Sequence, residues 1–271
     1  MAARHRPAYR LSTPILLLVS ALLAAPFIAF LLNAFARSWF YPQLIPQQWS
    51  LDAWMRVFSS QSDFLQALGN SLLIAGLVTP LSLAIGLPAG RALGLYAFRG
   101  KRLVEFVLLL PAIVPPLAVS MGLSVNFLRW GLAGSWIGVS IAHLVPVLPY
   151  TILIMAGFYN GYSVEHEQQA RALGARPLAV FLHVTLALTL PGMIVAGLFA
   201  FLISWSQYLL TLLIGSGRVI TLPILLFSSA SGGNNAIIAV QAILFTAPTL
   251  LLLLVTSRVL SNHGVSGLGR L

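Results

Sequence analysis

Long apolar runs, broken by short polar interruptions, occupy almost the whole chain. A membrane-crossing helix needs roughly 20 mostly apolar residues. Six stretches meet that need: about 12–35, 69–97, 103–127, 136–158, 186–212 and 235–259. The pattern predicts an all-α membrane protein with six transmembrane helices. Its spans contain Pro80, Pro88, Pro111, Pro115, Pro116, Pro146 and Pro149. Proline removes a backbone donor and kinks a helix, and membrane helices tolerate this when neighbouring helices or cavity water satisfy the freed groups. Kinked spans fit a bundle around an internal pathway, although packing alone also accommodates some kinks.

One interruption, between the fourth and fifth spans, has a definite helical design. Ser163 can cap a helix start, and Glu165 and Glu167 sit favourably near its positive dipole end. Gln168, Gln169, Ala170, Arg171, Ala172 and Leu173 are mostly good helix formers, and Gly174 suits the left-handed residue after the last turn. Pro177 then falls in the first turn of a second helix. Ala170 and Leu173, spaced i, i+3, form a small apolar face that could enter a groove. A polar helix on the face of an apolar bundle points to docking of a soluble partner; an ordinary amphipathic connector is the plainer alternative. The chain thus divides into an N-terminus (1–11), a first span (12–35), an outer loop (36–68), a five-span core (69–259) containing the loop 160–185, and a C-terminus (260–271).

Composition agrees with the pattern. Of 271 residues, 59% are hydrophobic and 7% charged, against about 25% charged in soluble domains. The length suits one membrane domain, and the absence of cysteine excludes disulfides, thiol nucleophiles and thiolate metal sites. The net charge of +10 is mainly a topology signal. With the N-terminus cytoplasmic, that side holds Arg4, Arg6, Arg10, Arg91, Arg99, Lys101, Arg102, Arg171, Arg176, Arg258 and Arg270; the other side holds Arg37, Arg56, Arg129 and Arg218. This positive-inside bias places both termini and the polar loop in the cytoplasm and accounts for the charge without nucleic acid. The first run has a basic start and an Ala24-Ala25 pair, but it exceeds a signal-peptide core of about 7–15 residues, so an uncleaved span is expected. Trp39, Phe40, Tyr41, Trp49 and Trp54 in the outer loop read as an interfacial belt, with contact to an external partner as the alternative.

Missing chemistry narrows the function further. There is no Gly-x-x-x-x-Gly-Lys-Ser/Thr loop, so the chain has no phosphate cradle of that kind. His5, His143, His166, His183 and His263 are scattered without ligand spacing. His143, inside a span and without an acidic companion, reads as a hydrogen-bonded packing residue rather than a ligand or relay. The acids Asp52, Asp63, Glu105, Glu165 and Glu167 all fall in loops or at span ends. Ion-coupled transporters keep ionisable groups within the membrane, and an embedded hydrolase or transferase needs a nucleophile, base or metal. No catalytic or metal residue is therefore assigned. An ATP-independent transporter or channel and, behind it, an embedded enzyme remain the alternatives.

At these residues the chain resembles the integral membrane permease subunits of binding-protein-dependent ABC importers. Their cytoplasmic signature is Glu-Ala-Ala, three residues, Gly, nine residues, an aliphatic residue, one residue, Leu-Pro. Aligned on Gly174, Ala170, Val184 and Leu186 match; Gln168 replaces the acid, Gln169 the first alanine and Ala187 the proline, with Glu167 one residue before the expected acid. Gly69-Asn70-Ser71-Leu72, Phe98-Arg99-Gly100-Lys101, Leu110-Pro111 with Val114-Pro115, and Thr221-Leu222-Pro223 resemble further family segments in the expected order. The likeness covers about residues 50–260 and is closest to the polyamine, iron, thiamine and phosphonate-type permeases.

The resemblance implies a multi-pass protein of the bacterial inner membrane, surrounded by lipid, with a coupling helix between spans 4 and 5. It implies two ATP-binding subunits that hold the ATP and magnesium, so that no cofactor is expected in this chain. It further implies a second permease, a heterodimer in preference to a homodimer, and a periplasmic or lipid-anchored substrate-binding protein. The ATPase-coupling role transfers to Glu167, Gln168, Ala170, Arg171, Leu173 and Gly174. The segment Ser204-Trp205-Ser206-Gln207-Tyr208 aligns where polyamine-type relatives often carry acids, and here it is neutral. A polycation in a low-dielectric pathway wants a carboxylate, so a neutral polar solute or an anion is expected. Asn126, Ser204, Ser206, Gln207 and Tyr208 are the pathway candidates, with interhelical hydrogen bonding as the alternative reading.

Overall fold

The computed structural model describes residues 13–262 except 40, 41 and 44. Arg4, His5, Arg6, Arg10, Phe40, Tyr41, His263 and Arg270 lie outside the described residues. Among those described, five helices are long and apolar enough to cross a membrane, or six if a bent pair counts as one span. The chain divides into two compact units, one comprising the described residues to Ser62 with Ser229–Leu244, the other Asp63–Ser228 with the described residues from Phe245.

In the first unit, α1 (Thr13–Ala34) contains Pro26 and is apolar all round. Leu17, Leu18, Leu22 and Leu23 are all exposed on it, as suits a helix surrounded by lipid. Short antiparallel strands β1 (Ala36–Ser38) and β2 (Gln48–Trp49) pair Ala36 with Trp49. Helix α2 (Asp52–Val57) follows, and Trp54 packs its ring 5.5 Å from that of Phe35. The segment expected as a loop thus carries two strands and a helix, and Trp49 is exposed on it.

In the second unit, α3 (Phe64–Leu95) starts within the segment expected as loop and packs along α6 (Trp136–Asn160) and α9 (Leu186–Trp205). Gly86, Gly90 and Gly94 recur every four residues and so share one face of α3. A Cβ at any of them would come closer than 3.0 Å to Thr151, Met155 or Tyr159 of α6, themselves four apart. The two backbones meet almost without intervening side chains, the close approach small residues permit in membranes. Core residues Ile74, Val78, Val139, Val147 and Ala200 fill the bundle beyond this seam.

The expected span 103–127 is two helices. α4 (Lys101–Ile113) and α5 (Pro116–Arg129) meet at 98°. Each residue before a proline is driven from the helical region: Val114, before Pro115, has ψ 136°, and Pro115, before Pro116, has ψ 129°. The expected span 186–212 also needs correction. It begins earlier, with α8 (Pro177–Val180) and a π-helical turn (Phe181–Thr185) leading into α9, and it ends at Trp205. There the Ser206 hydroxyl donates to the Ile203 carbonyl, a local bond that competes with helix continuation. Short α10 (Leu209–Gly215) follows the turn. α11 (Leu222–Ser231) and α12 (Asn235–Asn262) are the last helices. Pro191 and Pro248 join the prolines carried inside helices.

Two of the singled-out segments meet at one end of the bundle. Asn70 Nδ2 donates to the Ile220 carbonyl at 2.9 Å, and the Leu222 N–H donates to Ser71 Oγ at 2.9 Å. The Asn-Ser opening of α3 is thus stitched to the Thr-Leu-Pro segment far along the chain.

Candidate functional site

The polar loop forms the helix its sequence specifies, α7 (Glu165–Ala172). Val164 occupies the capping position, while Ser163 Oγ accepts from the Glu165 N–H at 3.3 Å. At the other end Gly174 has φ +88°. Its N–H donates to the Arg171 carbonyl at 2.9 Å, and that of Ala175 to the Ala170 carbonyl at 3.1 Å. This pair of bonds is the Schellman arrangement. Arg176 is extended ahead of Pro177, which opens α8. Gln168, Arg171 and Leu173 are exposed, Leu173 at 89%, and Ala170 is half-buried.

Glu167 departs from the rest of the loop. It is 3% exposed and faces inward. Arg91 Nη1 and Nη2 donate to its Oε1 and Oε2, each at 2.8 Å. The Tyr162 hydroxyl and Thr185 Oγ1 also donate to Oε1 at 2.8 Å. One carboxylate therefore gathers α3, the turn after α6, α7 and the π-helical turn. That turn places the Leu186 N–H on the Phe181 carbonyl, the i→i+5 pairing of a π-helix, with Thr185 at its end. The Arg91 guanidinium, followed by burial and the two hydroxyl bonds, sets the Glu167 carboxyl; the net result is a shift down to about 2. Burial and the bond to Glu167 push the Tyr162 hydroxyl up to about 12. Arg91 also lies 5.9 Å from the Tyr159 ring centroid, within cation–π range.

Glu167, one residue before the expected acid of the loop signature, is thus turned into the protein and not outward with Gln168 and Arg171. All four of its bonds are internal, and the cost of taking the carboxylate out of water is offset by the guanidinium fork and the two hydroxyl bonds. Arg91, Tyr162 and Thr185 were not foreseen as part of the site. A charged residue in an otherwise apolar span was the available signal for Arg91, since such a group needs a partner.

The pathway candidates do not converge on one cluster. Ser204 is 3% exposed, with its Oγ 2.9 Å from His143 Nδ1. His143 Nε2 lies 2.9 Å from Thr211 Oγ1, whose hydroxyl donates to the Gln207 carbonyl. A single tautomer satisfies this chain, with Nε2–H donating to Thr211 and Nδ1 accepting from Ser204. His143 is a hydrogen-bonded core residue that clamps the break between α9 and α10. Ser206 is exposed, Gln207 half-buried, and Tyr208 stacks on Phe227 at 4.2 Å. Asn126 is exposed on α5 and donates to the Gly122 carbonyl.

A family model described as binding-protein-dependent transport system inner membrane component matches residues 86–263, which include the whole Arg91–Glu167 site. The chain belongs to this family. It is a multi-pass permease subunit of a binding-protein-dependent ABC importer. The permease is 27% identical over 221 residues to the trehalose transport system permease protein SugB of Mycobacterium tuberculosis, covering 80% of each chain. It is 32% identical over 188 residues to the molybdenum transport system permease protein ModB of Escherichia coli, covering 63% of this chain and 82% of that one. To the spermidine/putrescine transport system permease protein PotC of Haemophilus influenzae it is 25% identical over 249 residues, covering 90% and 95%. Its fold is similar to a chain in the crystal structure of a bacterial ABC transporter involved in the import of the acidic polysaccharide alginate, with a TM-score of 0.67, 18% identity, and coverage of 93% and 99%.

Proposed function

We propose that this permease forms half of a transmembrane pathway with a second, non-identical permease, and that α7 docks into a cleft of a cytoplasmic ATP-binding subunit. The observation that supports this most is α7 itself. It is a bounded helix with Gln168, Arg171 and Leu173 presented outward and its single inward acid anchored. An apolar side chain as open as Leu173 on a polar helix is suited to a groove on a partner. Two such ATP-binding subunits hold ATP and magnesium, and their closure moves the loop helices and rocks the spans. A periplasmic or lipid-anchored binding protein delivers the solute to the outer mouth. Both termini and α7 then lie in the cytoplasm, a placement the basic-residue bias supports.

The substrate is a neutral polar solute or an anion rather than a polyamine. Among the described residues, Glu167 is the one acid held in an ion pair, and its charge is consumed by Arg91. Asp52, Asp63 and Glu165 sit at helix starts or just before them, and Glu105 lies in the second turn of α4. A polycation crossing a low-dielectric pathway is ordinarily met by a carboxylate there. SugB and the alginate system are named for a sugar and an acidic polysaccharide; PotC is named for polyamines.

Co-expression with the ATP-binding subunit and sister permease, followed by reconstitution, tests the reading. A detergent-stable complex is expected, with uptake requiring both ATP and the binding protein. Uptake by the purified single chain without any ATPase would overturn it. Ligand screening of the binding protein with sugars, oxyanions and polyamines separates the substrate classes.

A further inference from the structure

The Glu167 carboxylate receives four bonds from within its own chain, which gives it a task other than gripping a partner. We propose that Arg91 is a positioning residue of the transport cycle: by holding Glu167 it fastens the loop helix to α3, so that displacement of α7 enters the bundle through α3 and α6. This rests on the reading of α7 as the docking element.

Two features carry the inference. The first is the bond itself. Two parallel 2.8 Å bonds between a planar guanidinium and a carboxylate fix orientation as well as distance. A displaced α7 therefore drags Arg91 instead of sliding over it. Tyr162 and Thr185 bond the same carboxylate from either side of α7 in sequence, so the loop arrives at Arg91 as one piece. The second is what Arg91 is built into. It lies between Gly90 and Gly94, where α3 and α6 are in backbone-close contact. Close-packed interiors have low compressibility and transmit strain, so α3 and α6 follow Arg91 together.

The test uses the full complex, with permeases, ATP-binding subunits and binding protein, in proteoliposomes, and reads solute moved per ATP hydrolysed. Arg91→Gln is expected to assemble and hydrolyse ATP while the ratio falls by about tenfold, within the 5–150-fold range of typical site-to-site coupling. Arg91→Lys, which keeps the charge without the fork, should give an intermediate ratio. A ratio at the wild-type value in Arg91→Gln overturns the proposal. If Arg91→Gln fails to assemble, Arg91→Lys decides: a lowered ratio supports the proposal, and a ratio at the wild-type value overturns it. The docking of α7 is tested separately: the chain has no cysteine, so Leu173→Cys can be cross-linked to single cysteines in the ATP-binding subunit. Absence of cross-linking in the otherwise wild-type complex removes the docking role, whatever the Arg91 variants do.

Discussion

Glu167 and Arg91, 76 positions apart in sequence, meet in a two-pronged ion pair with both N–O distances at 2.8 Å. The Glu167 carboxyl is held down to about 2 from an ordinary 4.5. A depressed carboxyl contributes stability that is complete above its unfolded value and disappears as pH falls through its folded one. The permease should therefore lose thermal stability between about pH 4.5 and 2 through this group. Melting of the detergent-purified chain across that range checks it. Glu167→Gln should lack this component, so its melting curve converges with wild type at the acid end. Parallel curves at all pH values would contradict the assignment.

Removing one partner should cost more than removing both. Glu167→Ala leaves the Arg91 charge in a partly apolar site and two hydroxyls without their acceptor. Breaking a buried pair costs about 3–5 kcal/mol. The Arg91 side chain is 25% exposed, so the lower end applies, about 3 kcal/mol. Arg91→Met combined with Glu167→Leu should recover much of this, since apolar replacement of both partners is often nearly neutral. Chaotrope midpoints for wild type and the two variants give the comparison, and a loss in the double as large as in Glu167→Ala would refute it.

The loop helix was legible because its signals are local. A polar run, two early acids, a glycine and a following proline fix α7, its left-handed Gly174 and the start of α8 within about a dozen positions. The spans were legible for the same reason. Their interruptions were less so: hydropathy averaged over a span's length runs through Val114–Pro116 and over the short polar run Ser206-Gln207-Tyr208, and it reports burial in lipid rather than direction. The paired prolines marked the first break as a kink without giving its 98° bend. The Ser206 hydroxyl bond marked the second only weakly. The partner of Glu167 could not be read at all, because nothing local relates α3 to the loop. Gly86, Gly90 and Gly94 carried a four-residue period, but which helix they meet depends on tertiary packing.

That glycine seam gives a contrast within one helix. A Cβ at Gly90 would come closer than 3.0 Å to Met155 Cβ, an atom next to the backbone that cannot swing aside. Gly90→Ala should separate α3 from α6 and cost about 1–3 kcal/mol as overpacking does, with Gly90→Val worse. A Cβ at Gly69 meets nothing within 4 Å, so Gly69→Ala should be neutral or stabilising by up to about 1 kcal/mol through helix propensity. Yield of monodisperse protein and melting temperature read both. Equal behaviour would mean that the seam is looser than its geometry.

His143 gives a separate test of the α9–α10 break. His143→Leu removes the acceptor for Ser204 and the donor to Thr211. Leaving a buried polar group unsatisfied costs about 1–3 kcal/mol. Both hydroxyls flank the Ser206–Tyr208 turn, so faster amide exchange should appear there first. Asparagine, which can both donate and accept, should restore part of the protection. Unchanged exchange in the leucine variant would deny His143 its clamping role.

Gly174 isolates backbone strain from contact. A Cβ there meets nothing within 4 Å, yet φ is +88°. The left-handed region costs an ordinary residue roughly 1–2 kcal/mol and a β-branched one more, whereas asparagine enters it readily. Gly174→Val should therefore unwind the Schellman turn, releasing the bonds from Gly174 to Arg171 and from Ala175 to Ala170. The path from α7 into α8 would then be lost. Gly174→Asn should retain it. In co-purification with the ATP-binding subunit, valine should reduce recovery or uncouple hydrolysis from uptake, and asparagine should stay close to wild type. Full coupling in the valine variant would show that the loop's service to its partner does not depend on the turn that ends α7.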